Sequence, residues 1–410
     1  MISGQASLPL AGVAVAGPGP PLRVATVITR LEGGAGMLAL RGVQAMDPAA
    51  FAPTIVTGSG DRLVEAARAA GLEVVIEPAL RTPIAPRCDM VALRRLEALF
   101  RERNFDVVHT HTAKAGTVGR LAARRAAVPR IVHTFHGFPF HEFQSVARRQ
   151  VYLSIERKLG RFTDMALCVG SGVAAEAVRR ELIAPQRVTT IGVTVDGPGR
   201  ALASMTGRAP DARRRARLAL GLPPDATVVG TVGRLTYQKA PEDFLAAMVA
   251  LGRPDVVGVW IGGGELAGRV GRRARALRGV RVVLAGERTD VLEVMPAFDV
   301  FALASRYEGL PTAVVEAMIC SVPVVATAVN AVSDLVVPGE TGLLVPPHRP
   351  QLLADAVRYL LDSPAAAERM AATARTRLGD RYGDRDLSAA LTAAYSPPVL
   401  ADRYAPAPSR

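Results

Sequence analysis

Short runs of β-branched and other apolar residues alternate along the chain with longer Ala-, Leu- and Arg-rich stretches of helical period. Runs at 22–28, 54–57, 72–76, 107–109, 131–134, 165–169 and 188–193 predict a first series of strands. Residues 196–210 follow, rich in Gly, Pro and Ala and without any period, and read as a linker. Runs at 227–232, 256–261, 280–285, 300–304, 322–326 and 343–345 predict a second series. Strands that alternate with helical stretches are the mark of βαβ units and a parallel sheet. The fold class expected is therefore α/β, with two doubly wound, Rossmann-like domains facing one cleft and ligands at the carboxyl ends of the strands. The expected boundaries are a flexible leader at 1–21, a first domain at 22–195, the linker at 196–210 and a second domain at 211–384. A helix at 385–396 that crosses back to the first domain and a tail at 397–410 complete them.

Composition narrows the class. The chain has 410 residues, 49% apolar and 21% charged, enough for two or three buried cores. The leader lacks a basic start and is broken by Pro and Gly, unlike a signal peptide. No apolar run approaches the roughly 20 residues of a membrane span, so a cytoplasmic location is expected. Cys88, Cys168 and Cys320 are scattered and odd in number, which argues against a disulfide framework and a Cys-based metal site. Net charge is +13, almost all of it from arginine; Lys114, Lys158 and Lys239 are the lysines. The first 200 residues hold 25 basic and 16 acidic side chains, a balance of +9, and the remainder 25 and 21, a balance of +4. Such a first half suits a phosphorylated substrate or a membrane surface. Aromatics are only 5% and do not interleave with the basic residues, which sets nucleic acid aside.

Candidate chemistry gathers in the second half. The strand at 227–232 ends in Gly233-Arg234, with Lys239 five residues on. Two cations that converge at a strand end repel unless an anion lies between them, and a diphosphate satisfies both. From Ser305 the chain reads Ser-Arg-Tyr-Glu308-Gly309-Leu310-Pro311-Thr312, with Glu316 one turn into the helix that follows. Gly309 permits close backbone approach. Pro311 suits the first helical position. The free N–H groups of Leu310, Thr312 and Ala313 then form an anion site. Glu316 can accept from a ribose diol and Glu308 can meet sugar hydroxyls.

Together, Arg234-x4-Lys239, Glu308-x7-Glu316 and the following Val-Pro-Val-Val-Ala-Thr resemble the family 4 retaining glycosyltransferases of GT-B fold. Gly286-Glu-Arg288-Thr-Asp290 resembles that family's nucleotide-base loop, Gly262-Gly263-Gly264 its glycine turn, and Gly339-Glu-Thr-Gly342 its late loop. The resemblance runs over roughly residues 22 to 395. It implies that Arg234 and Lys239 bind a donor diphosphate beside Gly233, that Glu316 binds the ribose, and that Glu308 meets the transferred sugar. Backbone at Gly309–Thr312 takes phosphate and sugar oxygens, and Arg288 frames a uracil, which favours UDP-sugars. Where the family has a Gly-Gly pair, this chain has Asn330-Ala331 after Val329, so the backbone approach to the donor differs there.

The first half supplies Gly33 and Gly34 in a loop after the first strand, and the resemblance makes them the lip facing the donor. Five of six histidines fall between His109 and His141. Each alone fits a hydrogen-bonded core position, but their clustering at two strand ends points to the cleft. No Cys or carboxylate completes a zinc set, so no metal is expected. The resemblance puts His136 beside the sugar. It makes His109, His111 and Lys114 contacts of a glycan or polyprenyl-diphosphate-linked acceptor, in the manner of capsular and exopolysaccharide enzymes. The segment 147–162 is basic and amphipathic. It fits a helix on the sheet and also a peripheral contact on the membrane's inner face.

The expected activity is transfer of a sugar from a UDP-sugar to a hydroxyl, with retention and without a cofactor or metal. Asp384-Arg-Asp386 is expected to be a solvated helical stretch rather than a metal motif. A UDP-sugar epimerase of the same fold and a non-catalytic, basic membrane-surface protein are the alternatives. Gly262-x-Gly264 lacks the third glycine and acidic partner of a nicotinamide site.

Overall fold

The computed structural model describes residues 20–138, 140, 145–195, 203, 209–379 and 381–396. Most of the expected leader and linker, the tail and His141 lie outside the described residues.

The first sheet has seven parallel strands in the order β3-β2-β1-β4-β5-β6-β7. They are β1 (Leu22–Arg30), β2 (Phe51–Ser59), β3 (Glu73–Ile76), β4 (Val107–His111), β5 (Arg130–Phe135), β6 (Met165–Cys168) and β7 (Val188–Thr190). Between them run α1 (Gly33–Gln44), α2 (Arg62–Ala69), α3 (Pro86–Arg103), α4 (Ala113–Arg125), α5 (Val146–Gly160) and α6 (Ser171–Arg179). After α7 (Pro210–Ala219) comes the second sheet, six parallel strands in the order β10-β9-β8-β11-β12-β13. Its strands are β8 (Thr227–Val232), β9 (Val256–Ile261), β10 (Arg281–Gly286), β11 (Val300–Leu303), β12 (Val324–Thr327) and β13 (Leu343–Val345). Its helices are α8 (Pro241–Leu251), α9 (Ala267–Ala276), α10 (Val291–Val294) and α11 (Thr312–Ile319), followed by α12 (Pro350–Asp362), α13 (Pro364–Leu378) and α14 (Asp384–Tyr395).

Helices on both faces explain why the central strands read as unbroken apolar runs: β9 and β11 are buried at every position. In each sheet the strand order reverses at one place, between β1 and β4 and between β8 and β11. Loops leaving those strands diverge to opposite faces, which opens a crevice at their carboxyl ends. The loops concerned begin at Leu31, Thr112, Gly233 and Ala304. Most of the polar candidates come from these loops.

One buried apolar cluster contains residues of both lobes. Helix α14 returns to the first sheet: the Arg130 Nε donates to the Ala394 carbonyl at 2.9 Å, and the Tyr395 ring stands edge-on to Phe51. Asp384 at its start keeps a side chain 39% exposed, and Asp386 is exposed as well. Asp384 accepts from the Thr194 hydroxyl at 3.0 Å and lies 3.7 Å from Arg41, because the helix begins where the two lobes meet. Among the described residues no helix is long and apolar enough to cross a membrane.

Candidate active site

The loop after β8 is braced by β9. Trp260 Nε1 donates to the Gly233 carbonyl at 2.7 Å, and the Leu235 N–H to the Gly263 carbonyl at 2.6 Å. A Cβ on Gly264 would come 2.6 Å from the Leu235 carbonyl oxygen, and one on Gly262 would overlap the Gly233 carbonyl. The glycine turn at 262–264 thus exists so that two backbones can stack. Arg234, at the apex, is exposed, and its side chain makes no hydrogen bond or ion pair with the described residues.

Lys239 behaves differently. Its stem packs on Gly233, where a Cβ would stand 3.3 Å away, and its Nζ meets Glu308 Oε1 at 2.5 Å. Glu308 is 6% exposed. Its Oε1 also accepts from the Ser305 hydroxyl at 2.5 Å, its Oε2 from Gln238 Nε2 at 3.4 Å, and its N–H donates to Asn330 Oδ1 at 3.0 Å. The expected picture of two cations awaiting an external anion therefore holds for Arg234 alone in the free chain. The chain supplies Lys239 with a carboxylate because an unpaired ammonium at this depth would be costly.

Helix α11 begins at Thr312, with Pro311 as its cap at φ −75°, ψ 106°. Pro311 therefore sits one position earlier than the expected first helical residue. Its carbonyl takes the Val314 N–H at 3.0 Å, and the N–H groups of Leu310, Thr312 and Ala313 have no backbone partner among the described residues. Across the crevice α1 starts at Gly33, which has φ 60° and open space on its Cβ side. A Cβ on Gly34 would be 3.9 Å from Thr312 Oγ1. Two helix N-termini, one from each lobe, thus face the same gap. Both carry partial positive charge and N–H donors unused among the described residues, so the gap favours an anion. Glu316 lies one turn inside α11, half-buried, its carboxylate without a hydrogen bond or ion pair to the described residues. Burial pushes its carboxyl up to about 7.

The histidines split into two roles. His136, at the end of β5, is half-buried, and a Cβ on Gly309 would collide with its carbonyl oxygen. Glu308-Gly309 is thereby seated directly against His136. Desolvation pushes the His136 imidazole down to about 4, so it is neutral at physiological pH. His111 Nδ1 and His136 Nε2 share a hydrogen bond of 3.0 Å. His109 and His111 are only 2% and 3% exposed. His109 bonds the Tyr395 hydroxyl and Thr134 Oγ1, both at 2.7 Å. Burial, then the field of His136, pushes it down to about 3. Burial above all also holds His111 and His133 well below the usual imidazole range. His109 uses both ring nitrogens inside the protein, and the buried His111 bonds His136.

Lys114 bonds both oxygens of Asp89 on α3 at 2.7 Å, so its charge is matched within the protein. Arg288 grips Asp290 through two nitrogens and reaches the Ala219 carbonyl. Its guanidinium is engaged beside α7, and Glu287 is the side chain of this loop that lies against Gly263. Among the described residues no group of three His, Cys, Asp or Glu is arranged to hold a metal ion. Asn330, Ser305 and Gln238 are site residues that sequence reasoning missed. The Asn330-Ala331 departure was the available signal for the first; nothing local marks the other two.

The chain matches two family models, "Glycosyltransferase Family 4" over residues 32–196 and "Glycosyl transferases group 1" over residues 212–377. It is 32% identical over 263 residues to the UDP-Gal:alpha-D-GlcNAc-diphosphoundecaprenol alpha-1,3-galactosyltransferase of Escherichia coli, covering 63% of this chain and 66% of that one. It is 34% identical over 305 residues to a D-inositol 3-phosphate glycosyltransferase of Kineococcus radiotolerans, covering 68% and 69%. These alignments thus span about two thirds of each curated relative. Among solved structures, HepE of Anabaena in complex with UDP and glucose superposes with a TM-score of 0.76 at 19% identity, over 91% of this chain and 98% of that one. The lipopolysaccharide glycosyltransferase WaaG superposes with a TM-score of 0.69 at 16% identity, over 90% and 99%.

Proposed function

The chain belongs to the family 4 glycosyltransferases, with the two facing lobes of the GT-B fold, and we propose that it moves a hexose from a UDP-sugar to a hydroxyl of a lipid-linked diphosphate acceptor, with retention. The observation that carries this reading is the pair of helix starts facing each other at Gly34 and Thr312; Arg234, on the loop after β8, has a side chain that is unpaired among the described residues. A diphosphate in that gap accepts from the free N–H groups and the guanidinium. The Glu316 carboxylate accepts from the ribose hydroxyls, and Glu308 lies at the sugar beside His136. When the bond from the sugar's anomeric carbon to the diphosphate oxygen breaks, its electron pair stays on the diphosphate. The helix starts, Arg234 and Lys239 stabilise that charge. The acceptor oxygen then bonds the anomeric carbon from the same face and passes its proton to a diphosphate oxygen. No metal ion is assigned a role.

UDP as nucleotide is supported by HepE having been solved with UDP and with UDP-glucose. The lipid-linked acceptor is supported by the Escherichia coli relative, which is named for one. A peripheral membrane contact fits α5, where Val146 and Val151 are 64% and 58% exposed among Arg148, Arg157 and Lys158. A cytoplasmic location, on the inner face of the membrane, goes with that reading.

The test is a panel of UDP-, GDP- and dTDP-sugars with a polyprenyl-diphosphate sugar as acceptor. Transfer from a UDP-sugar is expected, and Glu308→Ala should lower kcat by about a thousandfold while UDP binds within about threefold of wild type. Full activity in Glu308→Ala, or hydrolysis and epimerisation without transfer, would overturn the assignment.

A further inference from the structure

Residues 330–334 form a short 3-10 turn after β12. Asn330 opens it at φ 44°, the left-handed region that Asn enters more readily than most residues. Its Oδ1 accepts the Glu308 N–H at 3.0 Å. The opposite side of the turn lies on the first lobe. Asp334 accepts the Ser171 N–H at 2.6 Å and also the Ser171 hydroxyl, at the open start of α6. The fit leaves no room for a methyl group. A Cβ on Gly172 would stand 2.9 Å from the Asn330 carbonyl carbon, and one on Gly170 would stand 2.9 Å from Asp334 Oδ2 and overlap Ala331. One short turn is thus clamped to the first lobe and bonded to the backbone of Glu308.

The carboxylate of Glu308 is held by Lys239, Ser305 and Gln238, all from the second lobe. Its backbone meets the first lobe in two ways. One is direct, where Gly309 rests on the His136 carbonyl, and the other runs through Asn330. The direct contact resists closer approach but supplies no attraction. The Asn330 bond is the one with direction.

We propose that Asn330 is a positioning residue that couples docking of the two lobes to the placement of Glu308. Docking of α6 on Asp334 fixes the turn, the turn fixes the Asn330 amide, and the amide fixes the Glu308 backbone at the transferred sugar. This rests on the reading of Glu308 given above. At a position where the resemblance leads one to expect Gly-Gly, the side chain adds a hydrogen bond that glycine cannot make.

Asn330→Gly keeps the left-handed backbone without steric cost and removes only the acceptor. A lost hydrogen bond of this kind should lower kcat about tenfold, with donor KM and melting temperature close to wild type. Asn330→Asp retains an oxygen at the same place and should recover most of kcat. Gly170→Ala, which wedges the lobes at Ala331, should lower kcat as well, and adding Asn330→Gly to it should cost little more. An unchanged kcat in Asn330→Gly, an equal loss in Asn330→Asp, or losses that simply multiply would overturn the proposal. A wild type that transfers no sugar refutes the functional reading instead. Amide exchange at Glu308 still decides the positioning. It should quicken about tenfold in both Asn330→Gly and Gly170→Ala, and exchange at the wild-type rate in either would overturn it.

Discussion

Glu316, one turn into α11, has no partner for its carboxylate among the described residues, and burial lifts it from 4.5 to about 7. The sign of the consequence follows. Between those two values the unfolded chain has released the proton while the folded chain still holds it, so the free protein loses stability as pH rises from 4.5 to 7. A ribose diol favours the ionised form by donating to it, so donor binding should strengthen as pH rises through about 7. Wild-type affinity for UDP, measured by calorimetry, should rise about tenfold more between pH 6 and pH 8 than that of Glu316→Gln. Parallel profiles for the two proteins would remove Glu316 from the ribose. Glu308 stands in contrast, since Lys239, Ser305 and Gln238 already occupy it. The residue types at both positions were legible in the sequence. Their different electrostatic states were not, because Lys239 is 69 positions from Glu308 in the chain and meets it only once β8 and β11 lie side by side.

At the scale of elements, the strands were legible almost throughout. Short β-branched runs between helical stretches are what a sheet covered on both faces demands. The differences lie at the ends: β5 runs on to Phe135 and β12 starts at Val324, after a proline that cannot donate to the ladder. The start of α11 shifted by one residue for a similar local reason, since Pro311 adopts extended ψ and caps the helix from outside. The loop before it is tuned to the other lobe. Gly309→Ala would drive a methyl group into the His136 carbonyl. It should cost about 1–3 kcal/mol of stability, as overpacking does, and should lower kcat more than it raises donor KM. Denaturant unfolding and steady-state kinetics check both; wild-type values would mean that the lobes are not seated on each other there.

For the whole molecule, side chains from distant segments hold the frame under the site. Arg120 and Glu156 form a buried pair at 2.6 Å between α4 and α5, the arginine also bonding the Gly116 carbonyl at 2.8 Å. Glu156→Ala would strand a buried guanidinium and should destabilise the protein by about 3–5 kcal/mol, whereas replacing both partners with apolar residues of similar size should cost far less. Equal losses in the two variants, read from urea denaturation, would deny the pair that role. On the other face α14 brings Tyr395 to His109, so the end of the described chain supports the strand that carries His111. The amino-acid sequence by itself determined the two series of strands, the α/β class and the residue types at the crevice. Periodicity, β-branching and glycine or proline punctuation are local properties that act over a few neighbours. Only the tertiary structure decided which charges meet, that the Arg234 side chain has no ion pair among the described residues while Lys239, Lys114 and Arg288 are engaged, and that Asn330 meets the Glu308 backbone. Those outcomes depend on strand order and on how two lobes dock, and contacts between segments far apart in the chain leave no periodic trace in it.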